Sequence, residues 1–276
     1  MIEFIKNALA EDIGEGDHTS LSCVPSELVS TADLLVKENG ILAGIECVKN
    51  IFAYYDNSLH LEPLLVDGDV VSPGDVAFTV KGSARSILAT ERLVLNVMQR
   101  MSGVATTTAR YVESIRHTKA RILDTRKTTP GMRLLEKQAV LIGGGINHRV
   151  GLFDMILIKD NHVDAAGGME NAIERSVRYR GTTKPDLKIE VEVRSMDELE
   201  IALKYPQVDR IMLDNFSPDE TAEAVNMVSG QCEVESSGGI TLDTIVPYAE
   251  AGVDYISVGA LTHSVKSMDL SLKIQL

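Results

Sequence analysis

This chain has few cysteines, few positive charges for its size and no long apolar run. Its three cysteines, Cys23, Cys47 and Cys232, lie scattered through 276 residues with no CxxC pair and no histidine cluster beside them. That excludes a disulfide framework and a Cys/His metal set, and it reads as buried, reduced thiols in a reducing cytoplasm. No apolar stretch approaches the roughly 18 residues of a membrane span. The opening MIEFIKNALAEDIGEGD has neither the basic start nor the apolar segment of a signal peptide. Lys and Arg total 27 against 40 Asp and Glu, a net charge of −13. So acidic a surface argues against a nucleic-acid partner, which needs a broad basic face. A nucleophile elbow is also missing, and GGGIN (143–147) has neither the spacing nor the lysine of a Walker loop.

Against this acidic background stands a cationic island. From Arg110 to Arg149 there are nine Lys/Arg and three acidic residues, Glu113, Asp124 and Glu136. Arg126, Lys127, Arg133, Lys137, His148, Arg149 and Lys159 surround a Gly143–Gly145 turn. Positive potential concentrated in one place suits a small, highly charged anion. Arg forks onto carboxylate or phosphate, and Lys supplies a mobile point charge.

Length and composition fit one large α/β domain, or a smaller domain joined to a barrel-sized one. Residues 1–18 read as a short helix ending in a Gly-rich loop, and residues 30–85 as strand-like runs separated by DGD and PGD turns. A long helix covers 86–116, with Ile87, Val94, Met98 and Met101 on one side and Arg92, Asn96 and Gln99 on the other. After residue 120, short β-branched runs at 121–124, 155–158, 188–193, 210–213, 232–235 and 255–258 alternate with amphipathic stretches such as 195–204, 217–228 and 241–251. Repeated βα units predict a parallel sheet, curled into an incomplete barrel of six to seven strands.

Each run ends in polar residues: Asp124 to Lys127, Lys159 to Asn161, Glu192, Asp214-Asn215, Ser236 to Gly239, and Gly259. Barrel enzymes work at the rim where such ends converge. A strand-end Asp alone is as readily a helix cap, and His148 reads equally as a packed side chain or as a donor to a carboxylate. SSGG and Val258-Gly259-Ala260 offer backbone N–H groups to phosphate. Glu192 and Asp214, on adjacent units, can hold ribose hydroxyls or Mg2+, or face a cationic sugar transition state.

The motifs DTRKTTPGMR (124–133), GGGINHR (143–149), IKDNH (158–162), EVEV (190–193), LDNF (213–216), ESSGGI (235–240) and VGALTHS (258–264) occur in that order. With EDIGEGDHTS (11–20), ENGILAGIE (38–46) and ERLVLNVMQRMSGVAT (91–106), they make nearly the whole chain resemble the quinolinate phosphoribosyltransferase family. The resemblance implies a pentosyltransferase of NAD biosynthesis that converts quinolinate and phosphoribosyl pyrophosphate to nicotinate mononucleotide, pyrophosphate and CO2, with Mg2+ as cofactor. It implies an N-terminal open-faced α/β sandwich (1–105), an incomplete α/β barrel (106–264) and a tail (265–276) that packs back on the sandwich. It also implies a cytoplasmic homodimer in which Arg92 crosses into the partner's site. By the same resemblance Thr125, Arg126, Lys127, His148, Arg149 and Lys159 line or adjoin the quinolinate pocket. Glu192 and Asp214 serve ribose and metal, and Ser236, Ser237, Gly238, Gly259, Ala260 and His263 lie near the phosphates. Lys127, Lys159, Glu192 and Asp214 are the catalytic candidates. Two readings compete: a sibling transferase acting on nicotinate or a related acid, and a non-catalytic phosphosugar-binding barrel.

Overall fold

A computed structural model describes residues 1–275. The chain opens with α1 (Ile2–Ile13), α2 (His18–Cys23), β1 (Val29–Val36), β2 (Gly40–Ile41), α3 (Ile45–Tyr55), β3 (His60–Pro63), β4 (Val70–Val71), β5 (Val76–Ser83) and α4 (Ala84–Ser114). Next come β6 (Arg121–Leu123), α5 (Arg133–Ile142), β7 (Ile156–Ile158), α6 (Asp160–Ala166) and α7 (Met169–Thr183). The last elements are β8 (Ile189–Val193), α8 (Met196–Leu203), β9 (Arg210–Asp214), α9 (Pro218–Val228), β10 (Glu233–Ser237), α10 (Ile245–Glu250), β11 (Tyr255–Ser257), α11 (Ala260–His263) and β12 (Leu270–Gln275). No helix among the described residues is long and apolar enough to cross a membrane.

Two compact units result. The first gathers Met1–Ala109, Thr128–Gly144 and the chain from Thr262 onward, and the second Arg110–Lys127 and Gly145–Leu261. This differs from a single cut near residue 105, because α5 and its preceding loop group with the N-terminal elements.

In the first unit, an antiparallel sheet runs β12-β1-β5-β3. Strand β1 alternates: Ser30, Ala32, Leu34 and Val36 are buried, while Thr31, Asp33 and Leu35 are not. That period of two puts one face on the helices and leaves the other open, as an open-faced sandwich requires. On the open face Thr79 donates to Asp33 at 2.8 Å. On the covered face Phe52 of α3 meets Phe78 of β5 edge-on, with centroids 6.2 Å apart. The strand-like reading of 30–85 overlooks α3, where Ile45, Val48, Ile51 and Phe52 recur at helical spacing and are all buried. The long helix is as expected: Ile87, Val94, Met98 and Met101 are fully buried, while Arg92 and Asn96 are exposed. The glycine turn after α5 serves packing. A Cβ on Gly143 would collide with the Ala105 carbonyl and lie 2.7 Å from Thr108 Cβ on α4, so the turn closes onto that helix only with glycine there.

The second unit is a parallel sheet in the order β6-β11-β10-β9-β8-β7, extended past β6 by a parallel bridge from Leu123 to Ile146. Among the described residues β7 pairs only with β8, so the sheet stays open. Its outer face is apolar: Ile189, Val191, Val193, Ile211, Leu213 and Ile256 have no exposed surface. Register places the alternate residues in polar rows. Glu190 and Glu233 flank Arg210, Glu192 and Glu235 flank Met212, and Ser237 pairs with Asp214. A side-chain period of two thus turns EVEV, RIMLD and EVESS into stacked polar layers on one face.

Candidate active site

At the carboxyl ends of these strands lies a cavity of about 160 Å3 lined by Asp124, Thr125, Arg126, Lys127, His148, Arg149, Leu157, Lys159, Met212, Glu235, Ser237 and Ser257. That is close to a cavity of ~150 Å3 that admits one benzene-sized ring. Five members of the cationic island converge here. Arg133 and Lys137 do not: both sit on α5 in the first unit, Arg133 donating to Thr128 Oγ1 at 3.0 Å and Lys137 only 2% exposed. The island is therefore two structures in sequence, a pocket wall and a helix anchor. A larger groove of about 540 Å3 beside β7 shares Arg149 and adds Arg175, Lys184 and His162, but its lining includes the apolar Leu152, Phe153, Ile156 and Leu157 and no carboxylate.

The walls are fixed by backbone bonds. Thr125 Oγ1 accepts from the Lys127 N–H at 3.0 Å, and Asp124, fully buried, accepts from the His148 N–H at 2.8 Å. Arg126 is exposed and forms no hydrogen bond or ion pair among the described residues. Arg149 is 9% exposed and donates to the Met155 carbonyl at 3.3 Å. Burial, then the like charge of Arg126, pulls its guanidinium below the ordinary value, while Glu190 and Asp154 act against that. Lys159 lines the cavity with its Nζ 3.0 Å from Glu192 Oε2. It therefore joins the cationic wall to the strand-end carboxylates.

His148 does not offer a free donor to the cavity. Its Nδ1 accepts from the Arg149 N–H at 2.7 Å, which leaves the ring hydrogen on Nε2, 2.9 Å from Glu190 Oε2 and 3.5 Å from Glu235 Oε2. Both carboxylates are fully buried, and Arg210 reaches Glu235 at 3.1 Å, Glu233 at 3.0 Å and stacks 4.1 Å over the Tyr255 ring. Lys188, 3.3 Å from Glu233, shares that carboxylate with Arg210, but Glu190 and Glu235 have no lysine beside them among the described residues. Burial, reinforced by the Glu190 charge, accordingly pushes Glu235 up to about 8, and burial also raises Glu190. A proton on Glu235 supplies a donor between Glu235 Oε1 and the Glu190 carboxyl. His148, Glu190 and Glu235 bring ligand atoms within 4.8 Å of one another. Arg210 bonds Glu235 from one side and the His148 ring lies against Glu190 from the other, so the cluster reads as an ion network.

Asp214 ends β9 half-buried and accepts from Asn215 Nδ2 at 2.8 Å. Beside it, Asn215 N–H donates to the Ser237 carbonyl at 2.9 Å, and Gly238 takes φ +99°. A Cβ there would lie 2.8 Å from the Asn215 backbone nitrogen, so only glycine lets the two strand ends touch. Ser236 is turned the other way: it is 1% exposed, on the apolar side of β10, and lines no cavity wall. The helix expected from Thr241 starts at Ile245, because Thr241 and Thr244 close a turn, with Thr241 N–H donating to Thr244 Oγ1 at 2.9 Å. Gly259 and Ala260 are half-buried at the end of β11, outside the cavity wall. Arg92 and His263, both exposed, belong to the first unit. Cys23 is also exposed, unlike the buried thiol expected there, while Cys47 is buried and Cys232 half-buried.

Sequence reasoning left out Glu190, Glu235 and Arg210. The signal was present as the alternation of EVEV and EVES, which puts Glu190 on the same face as Glu192, and Glu235 on that of Ser237.

An open parallel barrel whose rim carries converging cations above buried carboxylates defines a barrel enzyme for small anionic substrates. The sequence profile of the quinolinate phosphoribosyl transferase N-terminal domain matches residues 17–102, and that of the C-terminal domain residues 104–273. Quinolinate phosphoribosyltransferase (decarboxylating) 1b of Nicotiana tabacum is 46% identical over 285 residues, covering 98% of this chain and 81% of that one. The probable nicotinate-nucleotide pyrophosphorylase (carboxylating) of Bacillus subtilis is 40% identical over 99% of this chain and 93% of its own. The crystal structure of NadC from Streptococcus pyogenes superposes with TM-score 0.93 at 38% identity, covering 99% of this chain and 95% of that one. The nicotinate-nucleotide pyrophosphorylase of Francisella tularensis gives 0.92 at 40% identity, over 99% and 95%. The chain belongs to the quinolinate phosphoribosyltransferase family.

Proposed function

We propose that the protein transfers the phosphoribosyl group of phosphoribosyl pyrophosphate to quinolinate, releasing pyrophosphate and CO2 and forming nicotinate mononucleotide in NAD biosynthesis. The observation that carries this reading is the single-ring cavity with Arg126, Lys127, Arg149 and Lys159 on its walls. Two adjacent carboxylates on one ring account for that density of charge. A monocarboxylate such as nicotinate would leave part of it unpaired.

In this reading Arg126 and Arg149 hold the two carboxylates and Lys127 neutralises their combined charge. The ring nitrogen attacks ribose C1 as the C1–O bond breaks, and pyrophosphate leaves with the electron pair. Glu192 and Asp214 face the positive charge that develops at C1, and pre-oriented groups of this kind are among the strongest catalytic devices. The nitrogen is then cationic and stabilises the electron pair that stays on C2 as CO2 departs, and that pair takes up a proton. Lys159, set between the cavity and Glu192, is placed to release Glu192 to the sugar when the acid draws its ammonium away.

Asp214, half-exposed at a strand end with one hydrogen-bonded oxygen, suits Mg2+, which keeps few protein ligands and takes the rest from water and substrate phosphates. Glu192, held by Lys159, fits it through the sugar or a water. The ion would supply charge to the departing pyrophosphate. Ser237, Gly238, Gly259 and Ala260 are assigned to the phosphates. The active unit is a homodimer in which Arg92 reaches the partner's cavity. Its exposure with no bond partner among the described residues, and the exposed Leu152 and Phe153 beside β7, support this. The free cysteines support the reading of a reducing, cytoplasmic setting.

The decisive assay is 14CO2 release from carboxyl-labelled quinolinate, strictly dependent on phosphoribosyl pyrophosphate and Mg2+. Binding of both substrates without CO2 release overturns the reading. Turnover of nicotinate at comparable efficiency moves the protein to the sibling activity.

A further inference from the structure

The polar layer at the floor of the cavity, where Glu235 and His148 line it, has no part in the reaction derived above, yet it is heavily charged and buried. Glu190 and Glu235 are fully buried, enter from neighbouring sides of β9, and approach the same His148 nitrogen at 2.9 and 3.5 Å. On the other side of the ring, Nδ1 holds the Arg149 backbone N–H at 2.7 Å. The imidazole is thus a spacer between two buried carboxyl groups, which carry a proton between them, and the residue whose guanidinium stands in the cavity wall. An imidazole with its hydrogen on Nδ1 cannot accept from that N–H. The tautomer is therefore decisive for where Arg149 sits, and carboxylates on the Nε2 side favour the one that works.

We propose that Glu190 and Glu235 are positioning residues for the acid pocket: from its floor they hold His148 in the tautomer that anchors the Arg149 backbone, and so fix the Arg149 guanidinium for a substrate carboxylate. The inference rests on Arg149 serving the acid, as read above. It makes His148 a strut rather than a substrate donor. Buried ionised partners of a ring nitrogen commonly set its tautomer and orientation in this manner.

Two isosteric substitutions, Glu190→Gln and Glu235→Gln, test it separately and together, beside Arg149→Lys. Steady-state kinetics give KM for each substrate, and long-range 1H–15N spectra of ring-labelled protein report the His148 tautomer. The unsubstituted protein is expected to carry the ring hydrogen on Nε2 with Nδ1 as acceptor. In the double variant the hydrogen redistributes to Nδ1, quinolinate KM rises about tenfold, and kcat and the phosphoribosyl pyrophosphate KM stay within about twofold. An Nδ1–H tautomer in the unsubstituted protein overturns the inference without any variant. So do unchanged ring signals and quinolinate KM in the double variant, or equal rises in both KM values. If Arg149→Lys leaves quinolinate KM unchanged, the assignment of Arg149 itself fails and takes the inference with it. A raised KM in Arg149→Lys with an inert double variant overturns the inference alone.

Discussion

Arg100 on α4 holds Glu136 of α5 at 2.8 Å, and the Glu136 side chain is wholly shielded from water. The same carboxylate accepts from the Thr129 N–H at 3.1 Å, while Arg100 also donates to the carbonyls of Val265, at 3.3 Å, and Thr262. One ion pair therefore ties α4, the loop before α5 and the chain entering β12 within the first unit. Removing the arginine leaves a buried charge and a set of carbonyls without their donor. Arg100→Ala is expected to lower stability by about 3–5 kcal/mol, read from urea denaturation. A loss under about 1 kcal/mol would mean that water takes over the role of the guanidinium.

Arg126 lines the cavity, exposed, and has no hydrogen bond or ion pair among the described residues, which is why it is proposed above to hold a substrate carboxylate. Arg126→Ala is expected to raise quinolinate KM by roughly 10- to 100-fold through an unpaired carboxylate. The KM for phosphoribosyl pyrophosphate should hardly move. An unchanged quinolinate KM removes Arg126 from the acid pocket.

Gly238 is required by geometry and not by flexibility. With φ at +99° and a Cβ only 2.8 Å from the Asn215 nitrogen, Gly238→Ala must either strain the backbone or part the ends of β9 and β10. The expected cost is about 1–3 kcal/mol of stability. A raised KM for phosphoribosyl pyrophosphate should accompany it, with quinolinate KM nearly constant. Ordinary kinetics in Gly238→Ala would detach this turn from the sugar phosphates.

The buried carboxyls also predict how stability varies with pH. Burial first, and Glu190 next, push Glu235 up to about 8 from an ordinary 4.5. The groups facing it are Glu190, likewise raised, with His148, Arg210 and Ser257. A folded value above the unfolded one means the native state holds more protons between these limits. The contribution is thus complete below the unfolded value and is lost as pH rises through the folded one. One such proton gives a slope of at most about 1.4 kcal/mol per pH unit. Glu235→Gln should flatten the decline in stability between about pH 5 and 8, followed by denaturant midpoints. Parallel profiles for the two proteins would show that Glu235 does not titrate in this window.

The barrel was legible because its strands are short β-branched runs separated by amphipathic stretches, and because their polar ends recur at the length of one βα unit. The pocket residues Arg126, Lys127, Arg149 and Lys159 were legible as unusual charge on an acidic chain. Helix α3 was harder to see among β-rich neighbours, since its apolar spacing covers only three turns. Lys137 was misplaced because charge density along the chain does not reveal which unit a helix joins. The roles of Glu190, Glu235 and Ser236 depend on register, where one residue's shift exchanges core for cavity. His148 illustrates the remaining limit: its ring partners come from β8 and β10, and sequence spacing carries no information about that meeting.

Arg92 provides the sharpest test of the dimer reading. It sits exposed on α4, on the face opposite the buried Ile87, Val94 and Met98, with no bond partner among the described residues. Lys159 sits in the cavity wall of the second unit. If Arg92 completes the partner's cavity, Arg92→Ala and Lys159→Ala each inactivate a homodimer for different reasons. In a mixed dimer, one cavity carries both defects and the other carries neither. Random exchange of equal amounts yields half mixed dimers with one intact site each, so activity should recover to about a quarter of the unsubstituted level. If Arg92 acts within its own chain, each cavity of the mixed dimer keeps one defect and activity stays at the level of the parent variants. Subunit exchange verified by mass spectrometry, followed by CO2 release, separates these outcomes.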